Sequence, residues 1–294
     1  MDGTRRAYLE LHLAVVLYGF TAILGKLISI SAVSIVWWRV FFASISFLFI
    51  LNVGKLVKKL PRQVIIRFML IGIIVGLHWI TFYGSIKLSN ASVSLICLAT
   101  TSFFTSLIEP IIVKRKFNWL ELALGIVILP GMYFIVNGID VSYYQGVIVG
   151  LASALFASLF SILNKKYIDD AQPTELAGIQ LFGVFVFISV CAPFLFFFNP
   201  EIDWMPSMSD VFYLVILALL CTTFAYILSM RSLRHLSAFA SNLVINLEPV
   251  YGILLAAAIL AEYNELSSNF YIGVGIICFA VFSYPVLKKR LKNA

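Results

Sequence analysis

The feature that most limits what this chain can fold into is a series of ten apolar stretches separated by short polar connections. A helix needs about 17–25 mostly apolar residues to cross the hydrocarbon core of a bilayer, and every stretch meets that length. Their limits fall near 8–28, 35–53, 68–86, 91–113, 120–137, 146–163, 176–198, 211–230, 238–261 and 270–287. The connections carry turn formers, among them Ser31, Pro61, Ser89-Asn90, Asn118, Asn137-Gly138, Pro173, Asn199-Pro200 and Asn264. The chain is 62% hydrophobic and 12% charged over 294 residues, with a mean hydropathy of +1.01. A soluble domain is about 25% charged and has too little interior to hide so much apolar surface. The first stretch is too long for the apolar core of a signal peptide and is expected to stay as the first helix.

The basic residues orient these helices. Eighteen of the 21 Lys and Arg residues fall at the N-terminus, at the C-terminus or in every second connection: Arg5 and Arg6, the 55–67 cluster, Lys114 to Lys116, Lys165 and Lys166, Arg231 and Arg234, and the 288–292 cluster. The intervening connections hold only Lys87, while Lys26 and Arg39 fall inside helices. By the positive-inside rule both termini are expected in the cytoplasm. The net charge of +7 is thus accounted for without a nucleic-acid partner.

Five helices per half is an odd number, so the second half enters the membrane from the opposite side. Sparse internal similarity supports the division: Leu88-Ser89 followed by Gly125-Ile126-Val127-Ile128 parallels Leu236-Ser237 followed by Gly273-Val274-Gly275-Ile276. An inverted repeat of this kind recurs in secondary transporters, because two similar halves can exchange conformations around a shared site.

Enzyme chemistry finds no foothold. There is no HExxH, GxSxG or GxGxxG. Gly19 to Gly25-Lys26 superficially resembles a P-loop, but it has five intervening residues and Leu27 in place of the Ser or Thr that would hold magnesium. The four cysteines are scattered through apolar runs without metal-ligand spacing.

Polar side chains at membrane depth are the candidates for function, since each is costly there. Glu248 lies near the middle of the ninth helix. Pro249 follows it and cannot donate to a carbonyl one turn earlier. The pair could bind a cation, a proton or a substrate amine. A structural carboxyl bonded to a neighbouring helix is the competing reading. Asn242 and Asn246 share a face of that helix and could contact substrate or glue helices together. Arg39 could hold an anion through its planar fork, or snorkel to the interface, and the interfacial reading is the expected one. His78, Trp79 and Tyr83 cluster in the third helix. There a histidine could relay protons or bond a neighbouring helix, and the aromatics could anchor the interface or line a cavity. Tyr226 and Tyr251 lie deeper, where cavity lining fits better. Glu109, before Pro110, is expected to pair with the basic run at 114–116. Gly72-x-x-x-Gly76 and Gly146-x-x-x-Gly150 are packing signals.

At these residues the chain resembles the EamA family of the drug/metabolite transporter superfamily over nearly its whole length. The resemblance is carried by Tyr18-Gly19 to Gly25-Lys26, Arg39, Leu88-Ser89-Asn90-Ala91 and Gly125-Ile126-Val127-Ile128. In the second half it is carried by Leu233-Arg234-His235-Leu236-Ser237-Ala238, Leu247-Glu248-Pro249-Val250, Glu262 and Gly273-Val274-Gly275-Ile276. Thr100-Thr101 stands where the family often has a proline, and Lys114 where it often has a glutamate. The resemblance implies a ten-helix bundle with a central cavity that moves small metabolites.

The expected architecture is an all-α integral membrane protein of ten transmembrane helices, in two inverted five-helix repeats (1–142 and 143–294) around a central cavity. The expected function is secondary transport of small neutral or zwitterionic metabolites such as amino acids, in the export direction, by alternating access across the inner membrane. The substrate or coupling residues expected are Glu248, Asn246, Asn242, Arg39, His78, Trp79, Tyr83 and Tyr226. No cofactor is expected. The proton is the coupling ion considered, and the protein is expected as a monomer or homodimer in the lipid bilayer. The alternatives are a channel, which would show no saturable counterflow, or a membrane-embedded enzyme or other non-transport membrane protein.

Overall fold

The computed structural model describes residues 3–136, 141–198, 200–248, 250–252, 254–255 and 268–293. The described residues are helical, with no strand among them. The long helices are α1 (Gly3–Leu27), α2 (Ala32–Ile50), α4 (Arg62–Leu88), α7 (Trp119–Val136), α8 (Tyr144–Tyr167), α9 (Pro173–Phe198) and α13 (Ser268–Asn293). A short surface helix, α3 (Val53–Lys59), joins α2 to α4. Three further segments are built in pieces: α5 (Ala91–Ala99) with α6 (Thr101–Val113), α10 (Met208–Ala218) with α11 (Ala225–Ser232), and α12 (Ala238–Ile245) with the few described residues that follow it.

Eight of these segments are long and apolar enough to cross a bilayer. The expected fifth helix, α7, is apolar over the shorter stretch Trp119–Gly131, and the expected ninth is only partly within the described residues, as α12. Pro249, Glu262, Asn264, Asn137-Gly138 and Asn199 lie outside the described residues. The outward faces suit lipid: Phe49, Phe197 and Ile111 are almost fully exposed, at no cost if hydrocarbon surrounds them.

Contacts between connections sort them into two ends. At the basic end Gly3 lies against the His235 ring, Arg231 pairs with Glu10 at 3.0 Å, Arg234 donates to the Ala171 carbonyl at 2.7 Å, Arg67 pairs with Asp170, and Lys59 with Glu175 at 2.8 Å. At the far end Ser29 donates from its backbone and its hydroxyl to Asp210, each at 2.8 Å. Trp38 Nε1 donates to the Trp204 carbonyl at 2.9 Å, and Lys87 Nζ to the Ile28 carbonyl at 2.8 Å. Among the described connections, several of those rich in basic residues therefore meet at one end of the bundle.

The glycine pairs let backbones approach, which substitutes for the missing hydrophobic drive between helices in lipid. Gly72 and Gly76 of α4 face Gln180, Val184 and Phe187 of α9, and Gly183 of α9 faces the Met69 backbone. Gly146 and Gly150 of α8 fit against Ser85, Ser89 and Cys97. Helices α7 and α13 pack on each other, with Gly131 against the Gly273 carbonyl.

Candidate functional site

Two interruptions occupy matching places in the two halves. Asn90 caps α5 by accepting from the Val93 N–H at 2.8 Å, and α5 ends after nine residues. Ser237 caps α12 by accepting from the Ala240 N–H at 3.1 Å, and α12 ends after eight. At both breaks the backbone tightens: the Thr100 N–H bonds the Cys97 carbonyl and the Leu247 N–H bonds the Val244 carbonyl, three residues back. No proline is needed at the first break, because the Thr100 and Thr101 hydroxyls donate to the Cys97 and Leu98 carbonyls and compete with the helical ladder.

The two interrupted helices lie side by side. Asn242 Nδ2 donates to Thr105 Oγ1 at 2.8 Å, which donates on to Ser158 Oγ of α8 at 3.0 Å. Asn246 Nδ2 donates to Ser102 Oγ at 2.8 Å. At the basic end Glu109 closes the same seam. Its carboxylate accepts from the Ala238 and Phe239 N–H groups at 3.3 and 3.1 Å, where the positive end of the α12 dipole favours an anion. Arg115 bridges Glu109, at 3.0 Å, and Glu121. Tyr284 donates to Glu121 at 3.1 Å. Burial opposes charge on Arg115, but the carboxylates of Glu109 and Glu121 outweigh it and hold the guanidinium above the usual arginine range. The expected ion pair of Glu109 is thus part of a larger network joining the halves.

Beside this seam is a cavity lined from α1, α2, α4, α5, α6, α8, α11 and α12, with none of its lining from α7, α9 or α13. It offers about 70 Å³ to the centres of water molecules. At roughly 10–15 Å³ for each water, that is room for about five to seven of them.

Arg39 enters the cavity from α2. It is 2% exposed and does not snorkel. The guanidinium lies 4.0 Å from the centre of the Trp79 ring and donates to Tyr83 Oη at 3.0 Å, to Thr222 Oγ1, and to the Cys221 carbonyl at 3.4 Å. The last two partners belong to a π-helical segment, Leu219–Phe224, between α10 and α11. In that widened turn Thr222 donates its own hydroxyl back to the Leu217 carbonyl at 2.7 Å while it accepts from Arg39. Arg39 is retained at depth because three of its five donors find partners among the described residues, one on each nitrogen, and its face is stacked.

Glu248 lines the same cavity from the second half and is 4% exposed. No hydrogen bond or ion pair to its carboxylate is found among the described residues, and no ion pair joins it to Arg39. A guanidinium and a carboxyl group thus share one small cavity without a direct ion pair between them.

Of the eight residues singled out in the sequence, Arg39, His78, Trp79, Tyr226, Asn242 and Glu248 line this cavity. Tyr83 stands behind Arg39 as a hydrogen-bond partner, fully buried. Asn246 is turned to Ser102, away from the lining, because the helix break at Asn246 rotates it toward α6. Tyr251 packs in a separate apolar cluster beside Leu247. Sequence reasoning passed over Tyr18, Phe160, Ser161, Asn164 and Ser241 in the lining, and Gln180 behind it. Gln180, Asn164 and Tyr226 close a buried ring of hydrogen bonds between α8, α9 and α11. A glutamine and an asparagine inside apolar helices were the available signal, by the same cost argument that singled out Asn242.

The family model described as "EamA-like transporter family" matches residues 5–137 and again 144–284. A solved structure titled "Crystal structure of protein" is similar over 97% of this chain and 98% of its own, with a TM-score of 0.72 and 14% identity, which is a likeness of fold. No curated protein matches.

Proposed function

The chain belongs to the EamA-like transporter family, and from that premise we propose that it is a secondary transporter for small zwitterionic metabolites of amino-acid size. The observation that carries this reading is the placement of Arg39 and Glu248 in one cavity with no ion pair between them. Each buried charge costs several kcal/mol unless water or a ligand replaces its hydration. A zwitterion does so at both ends at once: its carboxylate takes the Arg39 fork and its ammonium faces Glu248. Aromatic rings from Trp79, Phe82 and Tyr226 wall the space between them.

Alternating access in this reading works across the seam of α5–α6 with α12, where paired helix breaks offer hinges in both halves. Glu248 takes a proton when the substrate ammonium leaves, which couples transport to the proton gradient. Both termini are cytoplasmic, the membrane is the inner membrane and the direction is export. The 18 clustered basic residues support that orientation.

The test is flux in proteoliposomes loaded with labelled amino acids, with and without a pH gradient. Saturable counterflow of at least one amino acid is expected, with Glu248→Gln folded but insensitive to the gradient. An absence of saturable flux for all twenty would refute the reading, and wild-type gradient dependence in Glu248→Gln would remove the coupling role alone.

A further inference from the structure

His78 lies on α4 next to Trp79, is 7% exposed and lines the cavity. Its ring sits between Phe160, centroids 5.4 Å apart, and Phe82, 6.2 Å apart. Three contacts to one residue of α8 fix it. Nδ1 is 3.0 Å from the Ser153 carbonyl oxygen and 2.9 Å from Ser153 Oγ. Ser153 Oγ in turn donates its only proton to the His78 carbonyl at 3.0 Å.

These contacts settle the tautomer. A carbonyl only accepts, so Nδ1 carries a hydrogen. The Ser153 hydroxyl has spent its proton on the His78 carbonyl, so it too can only accept from Nδ1. Both contacts therefore require Nδ1–H. A neutral imidazole carries one ring hydrogen, and here that hydrogen is on Nδ1. The ring is left with a bare Nε2. His78 belongs to the cavity lining, whereas Ser153, which its Nδ1 edge meets, does not. No donor to Nε2 is found among the described residues.

We propose that His78 is a specificity-determining residue, whose Nε2 accepts a hydrogen bond from a donor on the side chain of the transported molecule. This rests on the transporter reading above and adds what that reading leaves open. Arg39 and Glu248 serve the charged ends, which all amino acids share. His78 is a neutral acceptor flanked by aromatic rings, so it distinguishes a side chain bearing a hydroxyl, amide or ring N–H from a hydrocarbon of the same size. A buried acceptor left unpaired by the wrong ligand penalises that ligand, and such sites discriminate better than apolar pockets do.

The experiment is competition in proteoliposomes between matched amino acids: threonine against valine, tyrosine against phenylalanine, glutamine against methionine. At least one donor-bearing member is expected to compete about tenfold better than its hydrocarbon partner. His78→Phe is expected to bring the two members of that pair to equal competition. A second pair of variants guards against misfolding. His78→Gln places an amide near the Nε2 position and keeps the preference, whereas His78→Asn reaches only the Nδ1 position, retains the tie to Ser153 and loses it. Equal competition within every pair by the wild type overturns the proposal while leaving the transporter reading intact. Preference persisting in both His78→Phe and His78→Asn also overturns it. If no amino acid competes or moves at all, the transporter reading itself has failed and this proposal falls with it.

Discussion

Asn246 donates its amide to Ser102 at 2.8 Å, across the seam where the two interrupted helices meet. One turn earlier Asn242 makes the parallel bond to Thr105. Interhelical hydrogen bonds in membranes contribute about 0.6 kcal/mol on average, up to about 1.7. The two asparagines share no partner, so Asn242→Ala and Asn246→Ala should lower stability by that order each and nearly additively in the double variant. Thermal unfolding in detergent measures this. A double variant no worse than either single one would show that the two bonds are not independent.

Arg115 holds two buried carboxylates, Glu109 and Glu121, which are 2% and 3% exposed. Arg115→Met should cost about 3–5 kcal/mol, since it strands both charges. Adding Glu121→Gln should restore part of the loss. Unfolding midpoints of the single and double variants decide the matter, and an Arg115→Met protein as stable as wild type would mean that the carboxylates are solvated instead.

Lys114 ends α6 in the left-handed region, at φ 56°. That conformation aims the next residue, Arg115, back toward Glu109, and it costs a side-chain-bearing residue about 1–2 kcal/mol. Lys114→Gly should therefore stabilise the protein by about 0.5–1 kcal/mol. A lower unfolding temperature for this variant would count against the assignment.

Gly183 approaches the Met69 backbone so closely that an added Cβ would meet its carbonyl oxygen at 2.7 Å. Gly183→Ala should cost about 1–3 kcal/mol, because backbone has to move. Gly275 has nothing within 4 Å of the same added atom, and Gly275→Ala should be neutral or slightly stabilising. Similar effects of the two variants would refute the close packing of α4 on α9.

Arg39→Lys keeps a positive charge but replaces a planar fork by a point donor that cannot serve Tyr83, Thr222 and a ligand together. If Arg39 holds the substrate carboxylate, the variant should bind substrate at least about tenfold more weakly, a loss near 1.4 kcal/mol. The readout is the substrate-induced rise in unfolding temperature, which scales with affinity. An unchanged rise would remove Arg39 from the binding site.

The sequence by itself determined the membrane class and the alternation of the chain, because both depend on quantities local to each segment: the length of an apolar run and the sign of the next connection. Polar residues at depth were also legible, since their cost marks them wherever they stand, and Glu248, Asn242 and His78 were found that way. What those residues touch was decided only by tertiary structure. Arg39 near a helix end read as a snorkelling side chain, and it became a cavity residue because a widened turn in Leu219–Phe224 offers it a carbonyl. Tyr83 and Asn246 looked equivalent to their neighbours along the chain, but rotation of α4 and the break after α12 turned them to Arg39 and Ser102. Gln180 and Asn164, on separate helices, meet only because α8 and α9 both pack on α4. Apolar length is a property of one segment, whereas a site is a property of which faces three or more segments turn to one another.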